Sequence, residues 1–547
     1  MRERQNPPYL RDWSWLAVAF GCGVILRVVV AAYSGLSNDA AAFYLPGARA
    51  LFTHGVTYWD GLSSAVPPLF PTLVALLAHV VGDCERAALT MSIVSGAAMI
   101  FPVYGIARWQ FPGRLALHRW SLLIVMLQRS SLEGSGDAKG DACYAFCFAT
   151  TVWLGLGLWR RPGPIAAYGR ALAFGAFLGA AYLIRPEALG LAPLLAIAVL
   201  YETWRRSRAR AASGAYFRAA VGAGLLAIAA LAPSLIWQVA FVHAKIGVYT
   251  LSPKAGVLQD YEKDGKDDAV LGRLNSARTM TMQEERLNSS ATYQSFSPLQ
   301  QFLENPRGMA KSYAKNLGKF IEYFPWAMGV VPMLLLLAGI WRCARRAAPG
   351  GVAATIATYT FYAVAFAIFY VSRRFWLALL PMAVPMAAGG ALWLSQCCYS
   401  RWRVRRRWVA VALTLALLPE ALHSTLKSQN RWFSSPEAAL GERLRDRAGV
   451  DQNIVSQKGL VTYYAGGRHL PLPAEPLPAI LDYMKNRDAR FLVLDRYRRE
   501  RDSRSKEREQ RRLDFLASVA AEPTLIEIDR ESHSAADLVV YELRRVD

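Results

Sequence analysis

The sequence predicts an α-helical polytopic membrane protein of about eleven transmembrane helices, followed by a small extracytoplasmic α/β domain. Three observations lead there. Apolar runs of spanning length recur along most of the 547 residues, 54% of which are hydrophobic, and a span needs roughly twenty mostly apolar residues. Arginines crowd into every second connection between the runs. The tail beyond about residue 425 is too long and too polar to lie in a bilayer, and strand-like segments alternate there with helix-like ones.

The runs fall at about 13–33, 86–107, 115–130, 141–159, 171–185, 188–204, 218–242, 326–342, 352–371, 375–398 and 408–424. The first is followed by Asn38-Asp39 rather than by a small-residue cleavage site, so no cleavable signal peptide is expected. Cytoplasmic connections carry the excess of Arg and Lys. Here that excess lies in the N-terminal tail (Arg2, Arg4, Arg11) and after the second run (Arg108, Arg114, Arg119). It returns after the fourth (Arg160, Arg161, Arg170), the sixth (Arg205, Arg206, Arg208, Arg210, Arg218) and the eighth (Arg342, Arg345, Arg346). The tenth run is followed by Arg401, Arg403, Arg405, Arg406 and Arg407. Only Glu3 and Asp12 oppose them, so these segments hold most of the net charge of +22. The basic balance is a topology signal, and no nucleic-acid partner is expected from it. The N-terminus is placed in the cytoplasm of a cell inner (plasma) membrane, and an odd number of spans puts the C-terminus outside.

Residues 1–424 are therefore expected to form the transmembrane domain, and 425–547 an outer domain. Within the latter, Gln452–Ser456 and Phe491–Asp495 read as strands and Leu477–Lys485 as a helix. Arg496–Arg512 reads as an exposed helix, and Val539–Leu543 as the strand that closes the sheet. This order predicts a parallel, flavodoxin-like or Rossmann-like unit. Gly466-Gly467 is no GxGxxG, so the domain is read as stabilising or acceptor-positioning rather than dinucleotide-binding. The seven cysteines show no paired spacing in the outer domain, and no structural disulfide or cysteine metal site is expected. The seven histidines form no HExxH or similar cluster.

Chemistry is expected in the outer connections: 34–85, Arg129 to Asp141, the turn Arg185-Pro186-Glu187, about 243–325, and Ser372-Arg373-Arg374. In the first of these, Asp39 stands where the chain leaves a membrane helix. An acid there is either a functional residue or a loop aspartate facing water. The loop continues through Tyr44-Leu45, Ala48, Leu51 and Gly55 to Pro67-Pro68-Leu69-Phe70-Pro71 and a short apolar helix ending near Gly82. That pattern resembles the first extracytoplasmic loop of the GT-C glycosyltransferases, most closely the branch of protein O-mannosyltransferases and lipid A aminoarabinose transferases. Tyr182-Leu183-Ile184-Arg185-Pro186-Glu187-Ala188 and Arg373-Arg374-Phe375 with Pro381 resemble further signatures of that family.

The resemblance implies transfer of a hexose or pentose from a polyprenyl-phosphate donor, with inversion, to an acceptor hydroxyl on a lipid, a glycan or a protein. It implies Asp39 as catalytic base, and an outer-leaflet carboxylate beside apolar helix ends should have its pKa raised towards the useful range. Asp141, the acid nearest the start of the fourth span, is the second catalytic candidate, with an ordinary helix cap as its alternative. Tyr44, Arg185, Glu187, Lys254, Arg373 and Arg374 are implied as substrate contacts. A guanidinium suits a leaving phosphate, although an arginine at a helix end can also snorkel to headgroups. Relatives often carry a charged residue before the Pro-Pro pair, where this chain has Ala65-Val66, and a paired acid where it has Asn38-Asp39. A divalent metal is therefore left unassigned. A transporter or flippase is the rival class, but no internal repeat is visible and the charges gather at helix ends rather than mid-span.

Overall fold

The computed structural model describes residues 9–59, 62, 66–158, 164–192, 213–247, 249–251, 303, 306–344, 359–362, 364, 374–427, 436–456, 459–472, 477–497, 506–532 and 536–544. The chain enters through α1 (Tyr9–Tyr33), makes a π-helical turn (Ala40–Tyr44), and continues into α2 (Leu45–His54) and α3 (Leu69–Val81). A bundle follows: α4 (Cys84–Ala98), α5 (Ile100–Gln110), α6 (Leu115–Leu127), α7 (Arg129–Ser135), α8 (Asp141–Leu158) and α9 (Pro164–Ile184). A 3-10 turn (Pro186–Gly190) closes α9, and α10 (Ser213–Ile246), α11 (Pro306–Met328), α12 (Val330–Ala344), α13 (Phe375–Trp402) and α14 (Arg406–Lys427) complete the helical part.

Among the described residues six helical stretches are long and apolar enough to cross a membrane. They are Trp13–Tyr33, Cys84–Gln110, Asp141–Leu158, Ala167–Ile184, Val221–Lys245 and Phe375–Trp402, and the bent pair α11–α12 would make a seventh. The run at 115–130 is shorter than expected. Gln128 is extended and accepts from the Ser131 amide at 2.7 Å, so α6 ends at Leu127 and α7 starts afresh. The run at 326–342 is also different, because α11 and α12 meet at 108°. Gly329 adopts φ +88°, and the Glu420 carboxylate accepts from the Val330 and Val331 amides at 2.8 and 3.1 Å, satisfying donors that a helix start leaves open. The segment 408–424 is helical within α14 but is not among the six. The runs at 188–204 and 352–371 lie largely outside the described residues.

Burial orders the bundle. The span windows of α13 and α8 are 78% and 72% buried, against 28% for α1 and 22% for α10. The first two are therefore the centre, and the outer pair turns residues such as Ile25, Val28, Leu225 and Ile236 outwards, where lipid would solvate them. Close packing is achieved with glycine, as is usual between membrane helices. A side chain at Gly175 of α9 would strike the Ala227 carbonyl of α10, and Gly390 of α13 lies as tightly on Leu335 of α12.

The C-terminal part is α15 (Pro436–Ala448), β1 (Asn453–Ser456), α16 (Gly459–Tyr464), β2 (Arg468–Pro471), α17 (Leu477–Asn486), β3 (Ala489–Tyr497), α18 (Lys506–Ala521), β4 (Leu525–Ser532) and β5 (Ala536–Leu543). The strand order is β2-β1-β3-β5-β4. Helices cover both faces, with Ile480, Met484 and Val519 against Val455 and Leu492 on one side. Leu440, Leu444, Val461 and Ala465 pack against Ile454 and Phe491 on the other.

The sheet is mixed rather than parallel. β1 pairs parallel with β2 and β3, but β5 runs antiparallel to both β3 and β4. Only three residues separate β4 from β5, too few for the crossover that a parallel pair needs. Val539–Leu543 consequently lies inside the sheet, and the edge on that side is β4, whose charged Glu527, Asp529, Arg530 and Glu531 hide it from a hydrophobicity scan while guarding an open edge. Of the helix expected over Arg496–Arg512, Arg496 and Tyr497 belong instead to β3 and Lys506–Arg512 to α18, while 498–505 lie outside the described residues.

Candidate active site

Asp39 lies on the first turn of the helix that leads from α1 into α2. Ser37 opens that turn, its hydroxyl accepting from the Ala40 amide at 3.3 Å, the usual service of an N-cap. The amide of Ser37 itself donates to Asp137 Oδ1 at 3.2 Å. Directly after Asp39 the helix widens into the π-turn Ala40–Tyr44, a distortion that recurs at functional sites. The Asp39 carboxylate accepts from Arg374 Nη1 at 2.7 Å, and both side chains stay open to solvent, at 44% and 36% exposure. Arg374 immediately precedes α13, so the first and the central spans meet through this pair.

A second arginine–carboxylate pair sits beside it. Asp141 is the first residue of α8, and Arg185 follows the last residue of α9. Pro186 cannot continue α9 and biases its predecessor to extended backbone; Arg185 is found at φ −150°, ψ 120°. Its side chain turns inward and donates from Nη2 to Asp141 Oδ1 at 2.8 Å, with both partners only 5% exposed. The guanidinium also rests over the rings of Tyr144 and Phe375, 5.6 and 5.7 Å from their centroids. Lys139 completes the group, bridging Asp137 at 2.8 Å and Asp141 at 3.6 Å.

The charges feel one another. Burial works against the Lys139 ammonium, but Asp137 and Asp141 more than offset it and hold its pKa above the ordinary lysine value. Arg185 behaves alike: burial opposes its charge, and Asp141 with Glu187 restores and raises it. Tyr44 lies among both pairs. Burial, only partly offset by Arg185, pushes its phenol up to about 12, with Asp141, Arg374 and Asp39 also acting on it. Tyr44 is thus a neutral group at physiological pH. Its ring meets Phe70 of α3 edge-on at 5.7 Å.

The structure brings Asp39, Tyr44, Asp141, Arg185 and Arg374 into one cluster, and Glu187 acts electrostatically on Arg185 at its edge. One Glu187 oxygen and Arg374 Nε are buried with no hydrogen-bond partner among the described residues. Lys254 and Arg373 lie outside the described residues. The nearest described neighbour of Lys254 is Leu251, whose carbonyl accepts from Tyr182 of α9 at 2.6 Å. Sequence reasoning passed over Asp137 and Lys139. The alternation Asp137-Ala138-Lys139-Gly140-Asp141 at a helix start was the available signal. Among the described residues no three His, Cys, Asp or Glu side chains are grouped to hold a metal.

Residues 65–237 match the family model of dolichyl-phosphate-mannose-protein mannosyltransferases. An oligosaccharyltransferase from Archaeoglobus fulgidus, solved with zinc and sulfate, superposes with a TM-score of 0.58 at 12% identity, over 88% of this chain and 67% of that one. The oligosaccharyltransferase AglB of the same organism, solved with an inhibitory peptide and a dolichol-phosphate, gives 0.56 at 11% identity, over 89% and 70%. The chain has the GT-C fold. ArnT from Cupriavidus metallidurans, solved with undecaprenyl phosphate, aligns over 96% of this chain and 98% of its own, at a TM-score of 0.45 and 12% identity. No curated protein matches by sequence. Against this GT-C frame, the matched segment contains α3 to α9, and with them Asp141, Arg185 and Glu187, while Asp39 and Arg374 lie before and after it.

Proposed function

We propose that this GT-C protein is a membrane glycosyltransferase that moves a hexose or pentose from a polyprenyl-phosphate donor to an acceptor hydroxyl on the extracytoplasmic face, with inversion. The observation that carries the reading is the pairing of Asp39 with Arg374. It is a carboxylate open to an acceptor, held beside a guanidinium whose Nε is unused among the described residues. Polyprenyl-linked sugar transfer is the chemistry that the family match and the fold support in general. The positive-inside rule supports the outer face, because the loop of Asp39 follows the first span and an arginine-bearing N-terminal tail precedes it.

In this mechanism Asp39 accepts the proton of the acceptor hydroxyl as its oxygen bonds to the anomeric carbon. The bond from that carbon to the phosphate oxygen breaks, and the electron pair leaves with polyprenyl phosphate. Attack from the side opposite the phosphate inverts the centre. Arg374 offers the N–H groups that Asp39 does not engage to the leaving phosphate, and a guanidinium–phosphate contact strengthens as charge develops there. Asp141 takes no proton in this scheme. It is committed to Arg185 and Lys139, and its work is to hold those two cations in place.

The test is direct. Purified protein in proteoliposomes is given a panel of radiolabelled polyprenyl-phosphate sugars with lipid, glycan and peptide acceptors. Label appearing in an acceptor supports the reading. Label that crosses the bilayer still attached to its carrier would make the protein a flippase instead.

A further inference from the structure

The outer domain does more than stand beside the site. Its helix α16 lies on the loop of Asp39. The Gly459 amide donates to Asn38 Oδ1 at 2.7 Å, and Asn38 is the residue immediately before Asp39. Gly459 is buried, and a Cβ there would come within 2.8 Å of Ala42 Cα and 2.9 Å of its amide nitrogen. Backbone atoms cannot yield as a flexible side chain can, so only glycine allows this approach. One turn further along, Arg49 of α2 donates to the Tyr463 carbonyl at 3.3 Å and lies 4.5 Å over the Tyr463 ring. Gly459 and Tyr463 are four residues apart and share a helix face. Val461 and Ala465 are buried in the core of the domain. The helix therefore ties the sheet to the acid loop.

We infer that Asn38 and Gly459 form a positioning device that lets the outer domain set the Asp39 carboxylate. The inference rests on Asp39 being the base. Three anchors then fix that residue: Ser37 through Asp137, Asn38 through Gly459, and the carboxylate itself through Arg374. The middle anchor is the one contributed by the outer domain. It acts on the backbone, so its loss leaves Arg374 free to bind the donor but lets the carboxylate drift. A displacement of about 1 Å at a reacting group can cost on the order of 10²-fold.

The experiment compares the full-length wild type with Asn38→Ala, Gly459→Ala and Asp39→Asn in proteoliposomes, reading kcat and donor KM separately. Hydrogen exchange of the amides from 38 to 48 is followed in each. The expected result for Asn38→Ala is a kcat lower by about 10- to 100-fold, a donor KM within about twofold of wild type, and faster exchange in the loop while the sheet amides stay protected. Gly459→Ala should reproduce this, and slow exchange of β1 and β3 will show whether its domain has folded. If Asp39→Asn is inactive but Asn38→Ala keeps wild-type kcat, the positioning role is wrong. A rise in donor KM with kcat intact also overturns it. Should Asp39→Asn stay active, the base reading falls and the positioning role with it, whatever the exchange data show.

Discussion

The two arginine–carboxylate pairs use the same chemical groups at similar N–O distances, 2.7 Å for Arg374–Asp39 and 2.8 Å for Arg185–Asp141, yet they occupy opposite environments. The first is more than a third exposed on both sides, and the second is 5% exposed on both. An exposed pair contributes little to stability because water competes for both charges. A buried pair is costly to disturb, since removing one partner strands the other away from water. That difference is the basis of the proposed division of roles. On that reading Asp39 and Arg374 exchange each other for substrate groups, whereas Asp141 and Arg185 stay paired within the protein.

The largest effect should separate the two aspartates. Asp39→Asn keeps size and polarity but removes the proton acceptor, so transfer should fall by about 10²–10⁴-fold with the yield of folded protein unchanged. Asp141→Asn should instead lower that yield, because Arg185 and Lys139 lose a partner in a buried setting, at a cost of about 3–5 kcal/mol. Turnover and size-exclusion yield measured together decide the matter. If Asp141→Asn folds normally and is as dead as Asp39→Asn, the division of roles is broken.

Next in size is Arg374. If Arg374 holds the leaving phosphate as proposed, alanine there removes charge-assisted hydrogen bonds of about 1.5–3 kcal/mol each, so donor KM should rise at least about tenfold. Arg374→Lys keeps the charge without the fork and should fall between. A donor KM that ignores both substitutions would move the phosphate elsewhere, with Arg373 and Lys254 the first candidates to examine.

Most of what places this site was legible in the residues. Apolar run length located the central spans, and Arg185 before Pro186 announced a helix end with a cation. Burial was not legible. Nothing in Arg185-Pro186-Glu187 says that the guanidinium turns inward, because that depends on Asp141 reaching it from α8, forty-four positions earlier. The same limit hid Asn38. An asparagine beside an acid reads as loop chemistry until Gly459, more than four hundred residues away, is found against it. The mixed sheet escaped for another reason: β4 is an edge strand, and edge strands are charged where interior strands are apolar.

Arg185 sharpens the contrast at a smaller scale. Arg185→Lys keeps one charge against Asp141 but forfeits the planar group that lies over Tyr144 and Phe375, and these two residues are not interchangeable at stacked sites. Thermal stability should drop, with donor KM changing by no more than a few-fold. A large KM effect at unchanged stability would make Arg185 a direct phosphate ligand and erase the distinction between the pairs.

The smallest effect should be at Tyr44, which stands between them. Burial chiefly pushes its phenol up to about 12, so it is protonated at every pH of a transfer assay between pH 6 and 9. The sign follows from the shift. A folded-state pKa above the unfolded value of about 10 contributes stability that is complete below pH 10 and is lost only as the pH rises towards 12. Tyr44→Phe therefore removes only a neutral hydroxyl, and activity should fall by at most about two- to threefold, the effect of a weak hydrogen bond of about 0.5 kcal/mol. The shape of the pH–rate profile between pH 6 and 9 should be unaltered. A basic limb that moves in Tyr44→Phe would mean that the phenol titrates in the working range and that the tyrosine, rather than Asp39 alone, takes part in moving the proton.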